Sequence, residues 1–157
     1  MALDPTAREA NVRDSLKKYF VDTFHPTYQL TFDRGMATPR IQGNLELDID
    51  KWIAVNFGPL DRGDMGEHWL RIYCCTRRDN EGFKLAQLGD AVMGALSDTS
   101  QTDGMRRIDL YRSYQSQAWE LIGALLVQEI LESEQYEAED ETKYKILNVR
   151  LRWSAKI

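Results

Sequence analysis

A chain of 157 residues has room for one domain with a core that needs no cross-links, and 43% apolar with 29% charged residues excludes a disordered or fibrous chain. Its net charge of −5, from 20 basic and 25 acidic residues, has the wrong sign for gripping phosphate backbones over a broad face. Residues 1–10 lack a basic stretch followed by an apolar one, and no run approaches about 18 apolar residues, so neither a visible secretion signal nor a membrane-spanning helix is expected.

Asp4-Pro5 can open a helix, because aspartate caps free amides and proline is tolerated in the first turn. Val12, Leu16, Tyr19, Phe20 and Phe24 follow at spacings of three and four, one apolar stripe that His25-Pro26 ends. Tyr28, Leu30 and Phe32 then alternate with polar residues, the period of a half-buried strand. Residues 41–50 read as a weaker extended segment that Gly43 interrupts. Residues 51–57 and 68–77 are the clearest early strands, joined as an antiparallel hairpin by the turn-rich stretch 58–67. Ile53, Val55 and Phe57 share a face of the first, and Leu70, Ile72 and Cys74 a face of the second.

From residue 80 the period lengthens, and Leu85, Leu88, Val92 and Leu96 predict a helix over 83–96. After a polar loop at 97–104, Ile108 and Leu110 alternate within a strand at 106–111. The stretch 118–131 is ambiguous: Trp119, Ile122, Leu126 and Ile130 suit a helix, whereas Leu125, Val127 and Glu129 suit a strand. Irregular or extended chain to Gly123 and a strand over 124–133 is the expectation, because Leu147, Val149, Leu151 and Trp153 alternate as its partner. Between these arms Glu132, Glu134, Glu137, Glu139, Asp140 and Glu141 predict an acidic, solvated hairpin tip. The expected fold is one α+β domain over 1–157: an N-terminal helix, a mainly antiparallel sheet with helices on one face, and a long C-terminal β-hairpin.

Chemistry-bearing residues are sparse. Cys74 and Cys75 are chain neighbours in an apolar strand, so they point to opposite faces, cannot form an ordinary disulfide with each other, and suit a reducing interior. His25 at a helix end reads as structural, and His68 has no second ligand at metal-binding spacing nearby. A zinc site would need His25, His68, Cys74 and Cys75 to converge from distant positions, and a hydrolase would need His68 beside one of the cysteines. No phosphate-cradling, nucleophile-elbow or zinc-helix motif occurs, so no catalytic residue, metal or cofactor is expected. Arg77-Arg78 and Arg106-Arg107 sit at strand ends, where they either meet solvent or face acidic surfaces of a neighbouring subunit.

The opening helix, the hairpin of residues 52–57 and 69–73, the helix 83–96, the strand Ile108-Asp109-Leu110-Tyr111 and the closing strand 147–153 come in an order that resembles the tail terminator proteins of long-tailed bacteriophages. The likeness is one of order over nearly the whole chain. Residues 28–50 and 113–122 are longer than compact members need. The resemblance implies a structural virion protein at the head–tail junction, assembled in the host cytoplasm as a homohexameric ring. Such a ring caps the tail tube, ends its polymerisation and meets the head connector or neck protein, while DNA passes through without sequence-specific binding. On that implication Arg77, Arg78, Arg106, Arg107, Glu134, Glu137, Glu139, Asp140 and Glu141 are the expected subunit or partner contacts. Two other readings are a different neck or head–tail completion protein, and a cytoplasmic ligand-binding module that lines a pocket with Trp52, Trp69, Tyr73 and Trp119.

Overall fold

The computed structural model describes residues 9–25, 27–36, 50–61, 66–101, 105–112, 120–139 and 141–155. The Asp4-Pro5 helix opening, the extended segment at 41–49, Asp140 and Trp119 lie outside them. Helix α1 (Glu9–Phe24) is followed by β1 (Gln29–Phe32), β2 (Lys51–Asp61), β3 (Gly66–Thr76), α2 (Phe83–Leu96), β4 (Arg107–Arg112), β5 (Glu120–Glu132), β6 (Tyr136–Glu137) and β7 (Lys143–Ala155). The strands form one curled sheet in the order β1-β2-β3-β7-β5-β4, with the short β6 also pairing β7. Every pairing is antiparallel except that of β1 with β2. The α+β fold expected from the sequence is the one observed.

Both helices lay their apolar stripes on the same face. Val12, Leu16, Phe20 and Phe24 of α1 and Leu85, Leu88, Val92 and Leu96 of α2 join Ile53, Val55, Leu70, Ile72, Cys74, Leu147, Val149 and Leu151 in one dry cluster. Strand alternation delivers the sheet's share of this core, and the three-and-four spacing delivers the helices' share. Tyr19 ties the helices together by donating its hydroxyl to the Ala95 carbonyl at 2.5 Å.

Helix α1 also bridges the two edges of the curled sheet. Ser15 Oγ accepts a hydrogen bond from Tyr111 N–H at 2.8 Å and donates to the Tyr111 carbonyl at 3.3 Å, satisfying backbone on the edge strand β4. At the other edge Arg13 pairs with Glu9 at 2.9 Å and with Asp33, just beyond β1. Asp33 prolongs the β1–β2 pairing with its own groups: its N–H donates to the Val55 carbonyl at 2.9 Å and its Oδ1 accepts from Phe57 N–H at 3.0 Å. Its φ of 56° is one that aspartate adopts more readily than most residues.

Two local expectations need correction. Gly58, Pro59, Leu60 and Asp61 belong to β2 rather than to a turn, because a bulge between Phe57 and Leu60 lets the strand absorb a glycine and a proline and resume pairing with His68 and Glu67. Strand β5 starts by Glu120 rather than at residue 124, because Glu120, Leu121 and Gly123 pair with Arg112, Tyr111 and Leu110 of β4, across another bulge. An isolated bridge between Ser97 and Met105 joins the two ends of the polar stretch after α2. Elsewhere the packing is tight: a Cβ on Gly66 would lie 1.8 Å from the buried Trp153 ring, so β3 can pass the indole there only as glycine.

Candidate functional site

The opposite, outer face of the sheet differs in kind from the inner one. Cross-strand register lines up Trp69, Arg150 and Glu129 in one row and Arg71, Asn148 and Leu131 in the next, from β3 through β7 to β5. Trp69, on the central strand β3, is 38% exposed, and Leu131, near the end of β5, is 56% exposed. Around them runs a lattice of ion pairs, with Arg150 at 3.7 Å from Glu67 and 3.4 Å from Glu129, and Arg152 at 3.6 Å from Glu67. Half-solvated pairs of this kind contribute little to stability, so their use is to set the charge pattern of the face. Arg150 also lies over the Trp69 ring, 5.8 Å from its centroid.

A cleft of about 590 Å³ opens on this face, lined by Gly35, Asn56, Gly58, Trp69, Arg71, Tyr73 and Asn148 among others. Asn56 builds one wall: its carboxamide accepts from Gly35 N–H at 2.9 Å and donates to the Gly35 carbonyl at 3.3 Å, fixing the turn after β1 against β2. Gly58 lets β2 approach, since a Cβ there would sit 2.9 Å from the Trp69 carbonyl oxygen. Arg71 stands exposed between Trp69 and Tyr73 and makes no hydrogen bond or ion pair among the described residues. Its signal was present in the sequence: Trp69, Arg71 and Tyr73 alternate with the core residues Leu70, Ile72 and Cys74, which points them outward.

Of the residues expected at contacts, those around the hairpin tip gather at one end. Glu137 pairs with Lys143 at 3.2 Å, and Glu132 with Lys145 at 2.6 Å. Glu134, Glu139 and Glu141 are exposed and make no ion pair among the described residues. Arg77 comes to the same end, with its Nε donating to Thr142 Oγ1 at 3.4 Å and its guanidinium 5.1 Å from the Trp52 ring centroid, and Arg78 follows it with a φ of 55°. Arg106 and Arg107 stand elsewhere, at the start of β4 opposite the middle of β5: Arg106 N–H bonds to Leu96 and Arg107 is in register with Leu126. The tip with Arg77-Arg78 and the Arg106-Arg107 pair are therefore two surfaces, not one.

His25, expected to be structural, is exposed at the end of α1, whereas His68 and the two cysteines occupy the interior. His68 is fully buried on the inner face, stacked on Phe57 at 5.8 Å, and neither ring nitrogen reaches a hydrogen-bonding partner among the described residues. Burial, then Arg13, push its pKa below the ordinary 6.5, so the ring stays neutral. Cys74 and Cys75 are both buried and form no disulfide, one in the main core and one in the small cluster with Trp52 and Ala54 on the outer side. Burial, assisted by Glu132, pushes the Cys74 thiol up to about 12, which suppresses the thiolate a nucleophile needs. Among the described residues no group of three histidine, cysteine or carboxylate side chains could hold a metal ion.

No family model and no curated protein matches the sequence. Among solved structures, the chain is similar to that of a protein carrying no descriptive name, with a TM-score of 0.54 and 8% identity over 96% of this chain and 97% of that one. A likeness at that identity speaks for the fold alone.

Proposed function

We propose that the protein works by assembling: a homohexameric ring that caps a phage tail tube, ends its growth and joins the tail to the head connector or neck protein. The element order that resembles tail terminators supports this reading, and the outer face of the sheet carries it. A chain that buries its inner face under two helices yet leaves Trp69 and Leu131 in water beside an open cleft offers surface whose use is contact with another surface. Repeated head-to-tail contacts close into a ring when the rotation between copies closes. The net negative charge suits a bore through which DNA slides without sticking.

Size-exclusion chromatography with light scattering, together with negative-stain images of the protein alone and with purified tail tubes, tests the reading. Rings and capped tube ends are expected. A chain that remains a lone globule at high concentration and ignores tube ends sinks it, and binding to portal rings in place of tubes favours a different neck protein.

One observation favours a second reading, a small-molecule binding module, because Trp69 and Tyr73 line the cleft. Trp52, expected beside them in that reading, is instead fully buried with Ala54 and Cys75. A ligand that raises the melting temperature and is lost on Trp69→Ala would support it.

A further inference from the structure

We propose that the cleft beside Arg71 receives the acidic turn of a second copy of this chain, the turn that carries Glu139 and Glu141, with Glu134 further back on the same arm of the hairpin. This rests on the assembly reading above and names one contact within it. The outer face has already matched its other central cations, since Arg150 and Arg152 engage Glu67 and Glu129. Arg71 has no ion pair among the described residues, a planar cation exposed between Trp69 and Tyr73 and in register with Asn148. A guanidinium in that setting takes a carboxylate in two-pronged hydrogen bonds, and the flanking rings exclude water from the pair.

The tip presents the complementary excess. Lys143 and Lys145 neutralise Glu137 and Glu132, and Glu134, Glu139 and Glu141 remain exposed without an ion pair among the described residues. Ala138 N–H bonds to the Thr142 carbonyl at 2.8 Å and Glu141 N–H to the Ala138 carbonyl at 3.0 Å, so the backbone at these residues is held before docking. A chain cannot satisfy its own cleft this way. Arg71 is in register with Asn148, whereas the turn precedes Lys143, about 17 Å away along the rigid strand β7. Cleft and turn are different surfaces of each copy, so the contact is head to tail and can repeat around a ring.

Charge reversal tests it. Arg71→Glu alone, and Glu134→Arg with Glu139→Arg and Glu141→Arg, should each weaken self-association at least ~10-fold in light scattering, with the circular dichroism of the fold unchanged. Mixing the two variants, or combining all four changes in one chain, should restore the assembly, because each arrangement again sets opposite charges face to face. The milder Arg71→Gln should lose less than Arg71→Glu. Undiminished assembly of Arg71→Glu, or no recovery in the mixture and the combined chain, overturns the contact and leaves the ring standing. An unmutated chain that never self-associates overturns contact and ring together.

Discussion

The two faces of strand β3 set the terms of this molecule. Leu70, Ile72 and Cys74 point inward, are almost wholly buried, and meet side chains of both helices and of β2 and β7. Trp69, Arg71 and Tyr73, interleaved with them, point outward into a cleft and a charged lattice. Alternate residues of one strand thus serve different ends: one set excludes water for folding, and the other stays available to a partner. Substitutions on the two faces should separate loss of stability from loss of assembly.

Phe20→Ala should break the inner side most severely. Phe20 is fully buried on α1 and stacked near Phe24 at 6.0 Å, so its loss should destabilise the fold by ~3–5 kcal/mol in urea unfolding. A smaller change would mean that α1 collapses onto the vacancy.

Asp79→Ala comes next. Asp79 accepts from Leu85 N–H at 2.9 Å, Lys84 N–H at 3.3 Å and the Thr76 hydroxyl at 3.2 Å, which caps α2 and anchors it to β3. A loss of ~2 kcal/mol is expected. Burial pushes this carboxyl upward, but the hydrogen bonds outweigh it and hold the pKa below the ordinary 3.8. The stabilisation is therefore complete above that pH and lost as acid protonates the folded carboxylate below it. Acid titrations of wild type and Asp79→Asn should converge at the low end.

His68→Leu should change stability at neutral pH by only ~1 kcal/mol, in either direction, because the imidazole is buried without hydrogen-bond partners among the described residues. Its effect belongs to mild acid. A histidine whose folded pKa lies below 6.5 binds its proton more readily when unfolded, so wild-type stability falls as pH drops from 6.5 toward the folded value. Arg13, whose guanidinium sits over the Phe57 ring at 4.8 Å, opposes the second positive charge, while Glu9 and Asp33 partly offset it. Melting curves of His68→Leu should lose that decline; an unchanged decline would place its origin elsewhere.

Trp69→Ser should sharpen the contrast by doing least to the fold, within ~0.5 kcal/mol, while weakening self-association by ~10-fold or more. Equal effects on both would mean that the outer face is a second core rather than a contact surface.

Much of this was readable along the chain. The stripe from Val12 to Phe24, the helix Phe83–Leu96 and the alternation in β3 and β7 are local patterns, and each buried the face that its spacing indicated. The opposite fates of Cys74 and Cys75 followed from the period of two. The start of β5 was misplaced because its first residues are held by β4 and not by anything in their own periodicity. Likewise, Gly58-Pro59 signalled a turn, and only the bulge against β3 keeps it in a strand. Arg71 was passed over at the candidate site because an outward arginine on a strand becomes notable only once its neighbours prove to leave it unmatched.

By itself the sequence determined the element types and which side of each meets the core, since those depend on residues two to four apart in the chain. The tertiary structure alone decided the parallel partner of β1, the closure of the curled sheet by α1, and the cleft. Ser15 meets Tyr111 across 96 residues, and Asn56 fixes Gly35 across 21. Such encounters are set by how the whole chain shares out its buried surface, which no local spacing records.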